Sequence, residues 1–482
     1  MKGENGVKKI ISLIVVLLVF ASFGISATTS YTYSTYSGST TTVPCPDPFL
    51  PEKVYTMRNT GVSLKAPKDI CFDKIGNIYV LDSEAEKIYI FDADMKHTTT
   101  VDGFIKDGEK QSFAKPQGMF VTSDGQIYIC DTQNKRVVWL NSDFTFNKEY
   151  LCPKSDVLES DYRFLPKKIT VDNANNLYII NSDEYQGIMQ IDEAGNFIAF
   201  VGSDKVKYDP ITLMWKKIMS EKQAEQLTQF IPVEYFNLSI DNEGFIYAVS
   251  AATGEEPIKR LNTSGSDILN RYGYVKICGD INVSNDASFQ ASLFTDIDSN
   301  ENGNYFAIDS VRCKIFTYNR DGYLLYVYDA SDVITAPAAL AVNNDKLYVT
   351  DLYDGSIVSF SFSKFGKTAI DADNMYSKGM FEESFENWEN VLKMNANYEL
   401  AYAQLGRIYL RNGEYEKAMD NFLKGNIKGS SVTKLDGYNK AFSEWRKQWA
   451  MDNLGKAFVI ILVLVLAYYI VKIILKRRRK NK

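Results

Sequence analysis

Short runs of alternating apolar and polar residues recur along most of the chain, and each run follows a polar turn. In the first copy, Asp73–Asp82 (DKIGNIYVLD), a turn containing Gly76 precedes an Ile- and Val-rich run that includes Tyr79. Five more copies follow, at Asp124–Asp131, Asp172–Asn181, Asp241–Ser250, Asp298–Asp309 and Asn343–Asp351. Gly and Asn adopt the positive φ angle that a tight hairpin needs, and the alternation is that of a β-strand. A recurrence at roughly fifty residues predicts a repeat fold.

Further strand-like runs flank each motif. In four copies the preceding strand begins with proline, whose missing N–H costs little at the first residue of a strand. These prolines are Pro67, Pro116, Pro166 and Pro337. Most units have four antiparallel strands, and six units predict an all-β six-bladed propeller. The sixth unit lacks its outer strand, and we predict that Lys53–Arg58, before the first copy, pairs there and closes the ring.

The repeated pattern P-x-x-I-x-V-D, G-N-I-Y-V-x-D and I-x-x-F resembles the NHL repeat. The resemblance covers about residues 50–365 and is closest in the first three copies, whereas Ser250 replaces the usual acidic residue in the fourth. It implies a propeller domain over residues 50–366. It implies little about activity, because such propellers serve as lyases, lactone hydrolases, RNA-binding proteins and sensor domains.

After the sixth motif, the spacing of apolar residues changes from that of strands to that of helices. The segment Ala401–Phe422 resembles a tetratricopeptide repeat, with matching residues at Leu405, Gly406, Tyr409, Ala418 and Phe422. Thirty-four residues before three of these positions stand Ala372, Ser384 and Trp388. We therefore predict two such repeats over 367–432. Two repeats bury a core poorly by themselves, so residues 433–455 are predicted to form a capping and juxtamembrane helix.

Both ends of the chain indicate export to a membrane. Residues 1–27 resemble a signal peptide, and residues 28–49 are predicted to be a disordered spacer rich in Ser, Thr and Tyr. Residues 456–475 form an apolar run long enough to cross a bilayer, and the basic segment 476–482 follows it. These features predict a single-pass protein of the cell membrane, with its propeller and helical repeats outside and its C-terminus in the cytoplasm.

The composition of the chain excludes several classes of function. The single histidine, His97, excludes a metal site built from several histidines and leaves no Ser-His-Asp or Cys-His set. A net charge of −6 offers no basic surface for nucleic acid. A calcium-dependent lactone hydrolase needs only Glu, Asp and Asn, so it stays open as an alternative. We therefore predict no catalytic residues and no cofactor.

For two acidic patterns, a structural role is favoured over a functional one. The residues Asp298, Asn300 and Asn302 have the spacing of a calcium loop, but the same position is an ordinary turn in the other copies. The acidic residues that end four motifs are expected to bond backbone N–H groups in the following turn. They are Asp82, Asp131, Asp309 and Asp351.

A binding surface is predicted from the longest gap between copies. Residues 205–230 contain an apolar stripe at helical spacing, formed by Ile211, Met214, Trp215, Ile218 and Met219. Blade-to-blade connections emerge at a mouth of the central channel, so this helix is either a lid or packed flat on the blades. The predicted ligand surface comprises Tyr208 and Trp215 with the polar residues beside the start of inner strands, Lys68, Gln117, Lys167 and Glu234.

Together these features predict a membrane-anchored extracellular binding or scaffold protein. Its partner is a protein, peptide or glycan at the cell surface, and a role as an accessory to a transport system is one form of this hypothesis. The alternative is a propeller hydrolase, similar to a lactonase, that is tethered to the surface.

Overall fold

Antiparallel strands of the computed structural model form six blades around a central axis. The structure describes residues 32–37, 41–158, 161–182, 184–202, 234–250, 257–269, 292–343, 346–425 and 433–480. The inner strands of successive blades contact one another around a complete ring, and the inner strand of the sixth blade contacts that of the first. The predicted six-bladed β-propeller is therefore confirmed.

The strands are numbered in chain order. Before the first blade lie β1 (Tyr33–Ser37), β2 (Thr41–Pro44), β3 (Phe49–Tyr55) and the helical turn α1 (Met57–Thr60). Blade 1 contains β4 (Pro67–Phe72), β5 (Ile78–Asp82), β6 (Lys87–Phe91) and β7 (His97–Val101), and a small hairpin follows, β8 (Phe104–Lys106) with β9 (Glu109–Gln111). Blade 2 contains β10 (Gly118–Val121), β11 (Ile127–Asp131), β12 (Arg136–Leu140) and β13 (Phe146–Tyr150). Blade 3 contains β14 (Pro166–Val171), β15 (Leu177–Asn181), β16 (Ile188–Ile191) and β17 (Phe197–Val201).

The remaining blades follow the same order. Blade 4 has three strands in its described part, β18 (Tyr235–Ile240), β19 (Ile246–Ser250) and β20 (Ile258–Leu261). Blade 5 contains β21 (Phe294–Ser299), β22 (Tyr305–Asp309), β23 (Lys314–Tyr318) and β24 (Leu324–Asp329). Blade 6 contains β25 (Pro337–Asn343), β26 (Lys346–Asp351) and β27 (Ser356–Phe362).

The ring closes as predicted, but with a different segment. Strand β3 pairs with β27 from Phe49 opposite Phe362 to Tyr55 opposite Ile357, so the closing strand is Phe49–Tyr55 and not Lys53–Arg58. Residues from Met57 onwards turn into α1, which Gly61 ends at a φ of 76°. The earlier register is favoured because Phe49 is fully buried and its ring contacts those of Tyr326 and Phe362.

The segment 28–49, predicted to be a disordered spacer, contains ordered strands. Strands β1 and β2 pair with each other, and β1 also pairs with β24, so they extend blade 5 at its outer edge. Tyr33 is buried there, and the ammonium group of Lys314 lies 5.0 Å from the centre of its ring. Aromatic burial against a blade outweighs the polar composition of the segment.

The acidic residues that end the strand motifs bond backbone N–H groups of the incoming segment, and all but Asp131 also bond those of the following turn, as predicted. The carboxylate of Asp82 accepts hydrogen bonds from Glu84 N and Ala85 N in the following turn. It also accepts bonds from Lys65 N and Ala66 N in the segment that enters the blade. Asp351 makes the equivalent contacts in blade 6. These carboxylates connect blades 1, 2, 5 and 6 to their incoming segments.

Helices follow the sixth blade. They are α2 (Lys364–Ser377), α3 (Phe381–Met394), α4 (Glu399–Arg411), α5 (Tyr415–Lys424) and α6 (Thr433–Lys480). Helices α2 and α3 pack as one hairpin, α4 and α5 as a second, and α6 contacts α5. A single cluster of buried side chains runs from blades 5 and 6 into these helices and includes Tyr326, Trp388 and Tyr398. Tyr398 Oη donates to Leu325 O at 2.7 Å, which ties α4 to blade 5.

The last helix is continuous through the predicted capping and membrane segments. Within the described residues, Gly437–Arg477 is the one stretch long and apolar enough to cross a membrane, judged by length and composition. Large apolar side chains along it are exposed, from Phe458 to Leu475. This surface has no protein partner in the described part of the chain.

Candidate functional site

The central channel is lined by one equivalent position from each inner strand. Strand pairing identifies these positions as Asp69, Gly118, Lys168, Asn237, Asp296 and Ala339. They form a ring, which we call the channel ring. Five residue types occupy this position, with aspartate in blades 1 and 5, so charged groups face residues with small or neutral side chains.

An ion pair crosses this ring from blade 3 to blade 1. The ammonium group of Lys168 lies 2.9 Å from Asp69 Oδ1, and both side chains are about nine-tenths buried. The lysine reaches past blade 2 because Gly118 has no side chain. A Cβ built on Gly118 would lie 2.5 Å from Lys167 O and 2.8 Å from Lys168 Cδ. Asp69 Oδ2 also accepts from Met119 N at 2.8 Å, so this carboxylate joins three blades.

Asp296 of blade 5 connects the inner strands of blades 4, 5 and 6. It accepts hydrogen bonds from Asn237 Nδ2 in blade 4 and from Leu340 N in blade 6, the latter at 2.6 Å. Burial raises the pKa of Asp296 to about 7, although the positive charge of Lys168 acts to lower it. Burial alone would lower the pKa of Lys168, but the charges of Asp69 and Asp296 outweigh it and raise that pKa.

This arrangement suits a structural role better than catalysis. An amine whose pKa is raised is protonated near neutral pH, so Lys168 is neither a nucleophile nor a general base there. The thiol of Cys71, in the next layer of the channel, is likewise protonated because burial raises its pKa well above the usual value. Within the described residues, no group of three His, Cys, Asp or Glu side chains is placed to hold a metal ion.

One end of the channel carries the predicted polar residues. The pairing of β4 with β5 shifts between Pro67 and Asp69, so Lys68 is the extra residue of a β-bulge. The same shift places Lys167 in the bulge of blade 3. Bulges of this kind re-aim side chains and are frequent beside functional sites. We call this end of the channel the bulge mouth.

The bulge mouth is rich in lysine. Lys68, Gln117 and Lys167 are all half-buried at the starts of their strands. Burial, and after it the charges of Lys168 and Lys167, lowers the pKa of Lys68. Lys68 makes no ion pair with any described residue, whereas Lys167 lies 3.6 Å from Glu234 Oε1.

Glu234 lies directly before the fourth inner strand, beside its start, but not at the position equivalent to Lys68. Tyr235 pairs with Ser250 as Pro67 pairs with Asp82, so the residue equivalent to Lys68 is Phe236 and Glu234 lies outside the strand. The ammonium group of Lys167 lies 5.4 Å from the centre of the Phe236 ring. Glu234 reaches the bulge mouth through Lys167. Tyr208, Trp215 and the helix predicted over 205–230 lie outside the described residues.

The three residues with calcium-loop spacing point to different places. Asp298 Oδ2 accepts from Val342 N inside the channel, and Asn300 Oδ1 accepts from Asn302 N and Asn304 N within the turn. Asn302 Oδ1 accepts from Lys378 Nζ at 2.7 Å. Asp309, the twelfth residue of the pattern, ends the next strand, roughly 15 Å along it from the turn. The hairpin geometry therefore separates these oxygens.

The opposite end of the channel opens into a cleft that the sequence analysis missed. The cleft has a volume of about 370 Å³ and lies between α2 and the turns that follow the inner strands of blades 4, 5 and 6. Its lining shares Ile240, Ser299 and Val342 with the channel, so the two spaces adjoin each other. No sequence pattern marks it, because it exists only where the chain folds back from β27 and lays α2 over the turns.

Comparison with known proteins supports the propeller repeat. Residues 113–140, in blade 2, match the NHL repeat. No curated protein sequence matches the chain. The chain covers the greater part of several solved structures at low similarity.

Virginiamycin B lyase from Staphylococcus aureus is 14% identical with a TM-score of 0.41, over 65% of this chain and 100% of that one. A candidate gluconolactonase is 9% identical with a TM-score of 0.39, over 66% and 94%. A structural-genomics protein of unknown function from Bacteroides thetaiotaomicron is 12% identical with a TM-score of 0.40, over 69% and 76%. Similarities at this level carry no inference about the activity of this chain.

Proposed function

We propose that this chain is a binding or scaffold protein held at the outer face of a cell membrane by its last helix. The propeller presents the bulge mouth, formed by Lys68, Gln117, Lys167 and Glu234, to a protein, peptide or glycan that carries negative charge. Tyr208 and Trp215 complete this surface in the proposal.

The observation that carries the proposal is Lys68, a half-buried lysine of the bulge mouth without a carboxylate in ion-pair contact, on which Glu84 acts only at longer range. Lys167 has a carboxylate partner in Glu234 and Lys168 has one in Asp69, whereas Lys68 has none among the described residues. A half-buried ammonium group that lies close to two others is costly by itself. A ligand carboxylate, sulfate or phosphate group relieves that cost, which gives the surface its preference.

The membrane placement is supported by the exposed apolar stretch of α6. Its apolar run is followed by Lys476, Arg477, Arg478, Arg479 and Lys480. Positive residues accumulate on the cytoplasmic side of spanning helices, so this order favours the propeller outside.

The helical hairpins support a scaffold role because they resemble tetratricopeptide repeats. At equivalent places Ser384 Oγ donates to Ala372 O at 2.7 Å, and a Cβ on Gly406 would lie 2.9 Å from the Phe422 ring. Helix pairs that stack as repeats form a concave groove along the array. We propose that this groove contributes to partner binding.

A lactonase-like hydrolase is the second candidate, and the channel ring argues against it. The ring does contain two aspartates and an asparagine, which are ligand types for calcium. However, the ammonium group of Lys168 lies between them and already supplies the positive charge. A divalent cation would be repelled from this position.

The test is binding of defined anionic probes to the full chain in lipid nanodiscs. Oligogalacturonate and a Glu-rich peptide serve as probes for glycan and peptide partners. The double variant Lys68→Ala, Lys167→Ala should weaken binding of the preferred probe by about tenfold or more, with a steep dependence on salt.

A matched control keeps the total charge equal. The double variant Lys74→Ala, Lys96→Ala removes two exposed lysines from the other face of blade 1 and should leave affinity unchanged. Equal effects of the two double variants would overturn the assignment of the bulge mouth.

A further inference from the structure

The cleft beneath α2 differs in chemistry from the bulge mouth, although both adjoin the same channel. Its charged lining residues are Asp241, Glu301, Asp371 and Lys367, so acidic groups outnumber basic ones. The Asp241 carboxylate is already paired, because Arg260 lies 3.3 Å from its Oδ2. This balance disfavours an anionic ligand, the type proposed for the bulge mouth.

Side-chain amides dominate the rest of the polar lining. They belong to Asn242, Asn300, Asn302, Asn343 and Asn374, which come from three different blades and from α2. An amide presents both donors and an acceptor, as a hydroxyl group does, so several amides around one cavity suit a ligand with many hydroxyl groups.

Some of these amides have no partner within the protein. Asn300 and Asn302 are used in their turn and by Lys378. In contrast, the side chains of Asn242, Asn343 and Asn374 make no hydrogen bond with any described residue. Asn374 is only 7% exposed, and the cavity is the space that its amide faces. The Asn374 amide is therefore open to the cleft, where a ligand can replace water as its hydrogen-bond partner.

The cleft also has an apolar side. Ile240, Val342, Phe362 and Ile370 line it together with the amides. A sugar ring has an apolar face of C–H groups and an edge of hydroxyl groups, and it matches a cavity with these two kinds of wall. The volume of about 370 Å³ lies in the usual range for small-molecule sites.

We propose that this cleft binds a small neutral ligand rich in hydroxyl groups, of the size of a mono- or disaccharide. The ligand contacts turns of blades 4, 5 and 6 on one side and α2 on the other. Helix α2 is already docked to the propeller, since Asn319 Nδ2 donates to Asp373 Oδ1 at 2.9 Å and Tyr326 Oη donates to Gly366 O. The ligand therefore adds a bridge to an existing interface. This site is independent of the bulge mouth.

The test is isothermal titration of the full chain in nanodiscs, because glycosidic detergents would compete with the ligand. The probes are glucose, galactose, maltose and cellobiose, with glucuronate as an anionic counterpart. We expect at least one neutral sugar to bind and glucuronate to bind at least tenfold more weakly than glucose or galactose.

Variants locate the binding. Asn374→Ala and, separately, the exposed Asn242→Ala should each weaken sugar affinity about threefold to tenfold, the effect of one hydrogen bond. The control Asn390→Ala removes an exposed amide from α3, outside the cleft, and should change nothing. Lys68→Ala should also leave sugar affinity unchanged.

Three results would contradict the proposal. Absence of binding by all four neutral sugars at millimolar concentration would overturn the proposal. So would tighter binding of glucuronate, or sugar binding that neither Asn374→Ala nor Asn242→Ala weakens. None of these results bears on anion binding at the bulge mouth.

Discussion

At the scale of single residues, Gly118 decides whether Lys168 can reach Asp69. The lysine side chain crosses blade 2 where any Cβ would meet backbone Lys167 O at 2.5 Å. We expect Gly118→Ala to lower the free energy of unfolding by about 1–3 kcal/mol, because the added methyl group forces the strands apart or displaces the lysine. Differential scanning calorimetry of the full chain measures this.

The same substitution elsewhere provides the control. Gly455 lies in α6, and a Cβ there meets nothing within 4 Å. Gly455→Ala should not lower the melting temperature. If both variants melted alike, Gly118 would have no part in positioning Lys168.

The raised pKa of Asp296 predicts a pH dependence of stability. Its folded-state pKa of about 7 lies above the usual unfolded value of roughly 4, so the folded state binds more protons between these values. The contribution of this group to stability therefore falls as pH rises from about 4 to 7 and is constant above that. Asp296→Asn removes this dependence while it keeps the shape of the side chain.

Melting temperatures at pH 5 and pH 8 measure the effect. The variant should be less stable than the wild type at pH 5, and the difference should shrink or reverse at pH 8. Asp354→Asn, in an exposed turn, is the control and should show no such change. A constant difference between wild type and Asp296→Asn at both pH values would show that Asp296 does not titrate in this window.

The sequence predicted the roles of residues that recur at the end of each motif, but not the roles of residues that follow no repeat. Asp82 and Asp351 could be assigned a structural role because the same residue recurs where each motif ends. Lys168 and Asp296 could not be identified, since the residue at the channel-ring position varies between blades and follows no repeat. Only the closure of the ring brings these two residues from blades 3 and 5 together.

At the scale of elements, strand β3 holds the ring closed largely through Phe49. This side chain is fully buried among aromatic rings of blades 5 and 6. We expect Phe49→Ala to cost about 3–5 kcal/mol of unfolding free energy, the usual cost of removing a buried Phe side chain. Leu50 is 50% exposed on the same strand, so Leu50→Ala should cost much less.

Thermal unfolding of both variants, followed by calorimetry, measures the difference. Equal melting temperatures for Phe49→Ala and Leu50→Ala would mean that β3 is not what stabilises the closed ring.

The closing strand shows what alternation in sequence can and cannot predict. The missing outer strand of blade 6 predicted that the N-terminal segment would close the ring, and this is confirmed. The register was wrong because it depends on aromatic partners for Phe49 that come from distant parts of the chain. The same limit explains β1 and β2, whose order depends on burial of Tyr33 against blade 5.

At the scale of the whole molecule, the number of blades followed from the period, but the placement of α2 did not. The helical period predicted hairpins after the propeller. Their docking on the turns of blades 5 and 6 depends on contacts such as Tyr398 with Leu325, which join residues with no pattern in common. The cleft beneath α2 was for that reason beyond prediction from sequence.

The proposed function depends most on the propeller lying outside the cell. Cys152 is a native site for chemical labelling, because it is exposed on the propeller whereas the other described cysteines are half-buried or buried. Intact cells would be treated with a membrane-impermeant maleimide, and the labelled peptides identified by mass spectrometry. A second reporter, Asn481→Cys, marks the C-terminal end, and Cys152→Ser is the control for specificity.

The predicted result is labelling of Cys152 in intact cells and labelling of the Asn481→Cys reporter only after the membrane is permeabilised. The opposite pattern, with Cys152 protected until permeabilisation and the C-terminal reporter labelled in intact cells, would contradict an extracellular binding protein.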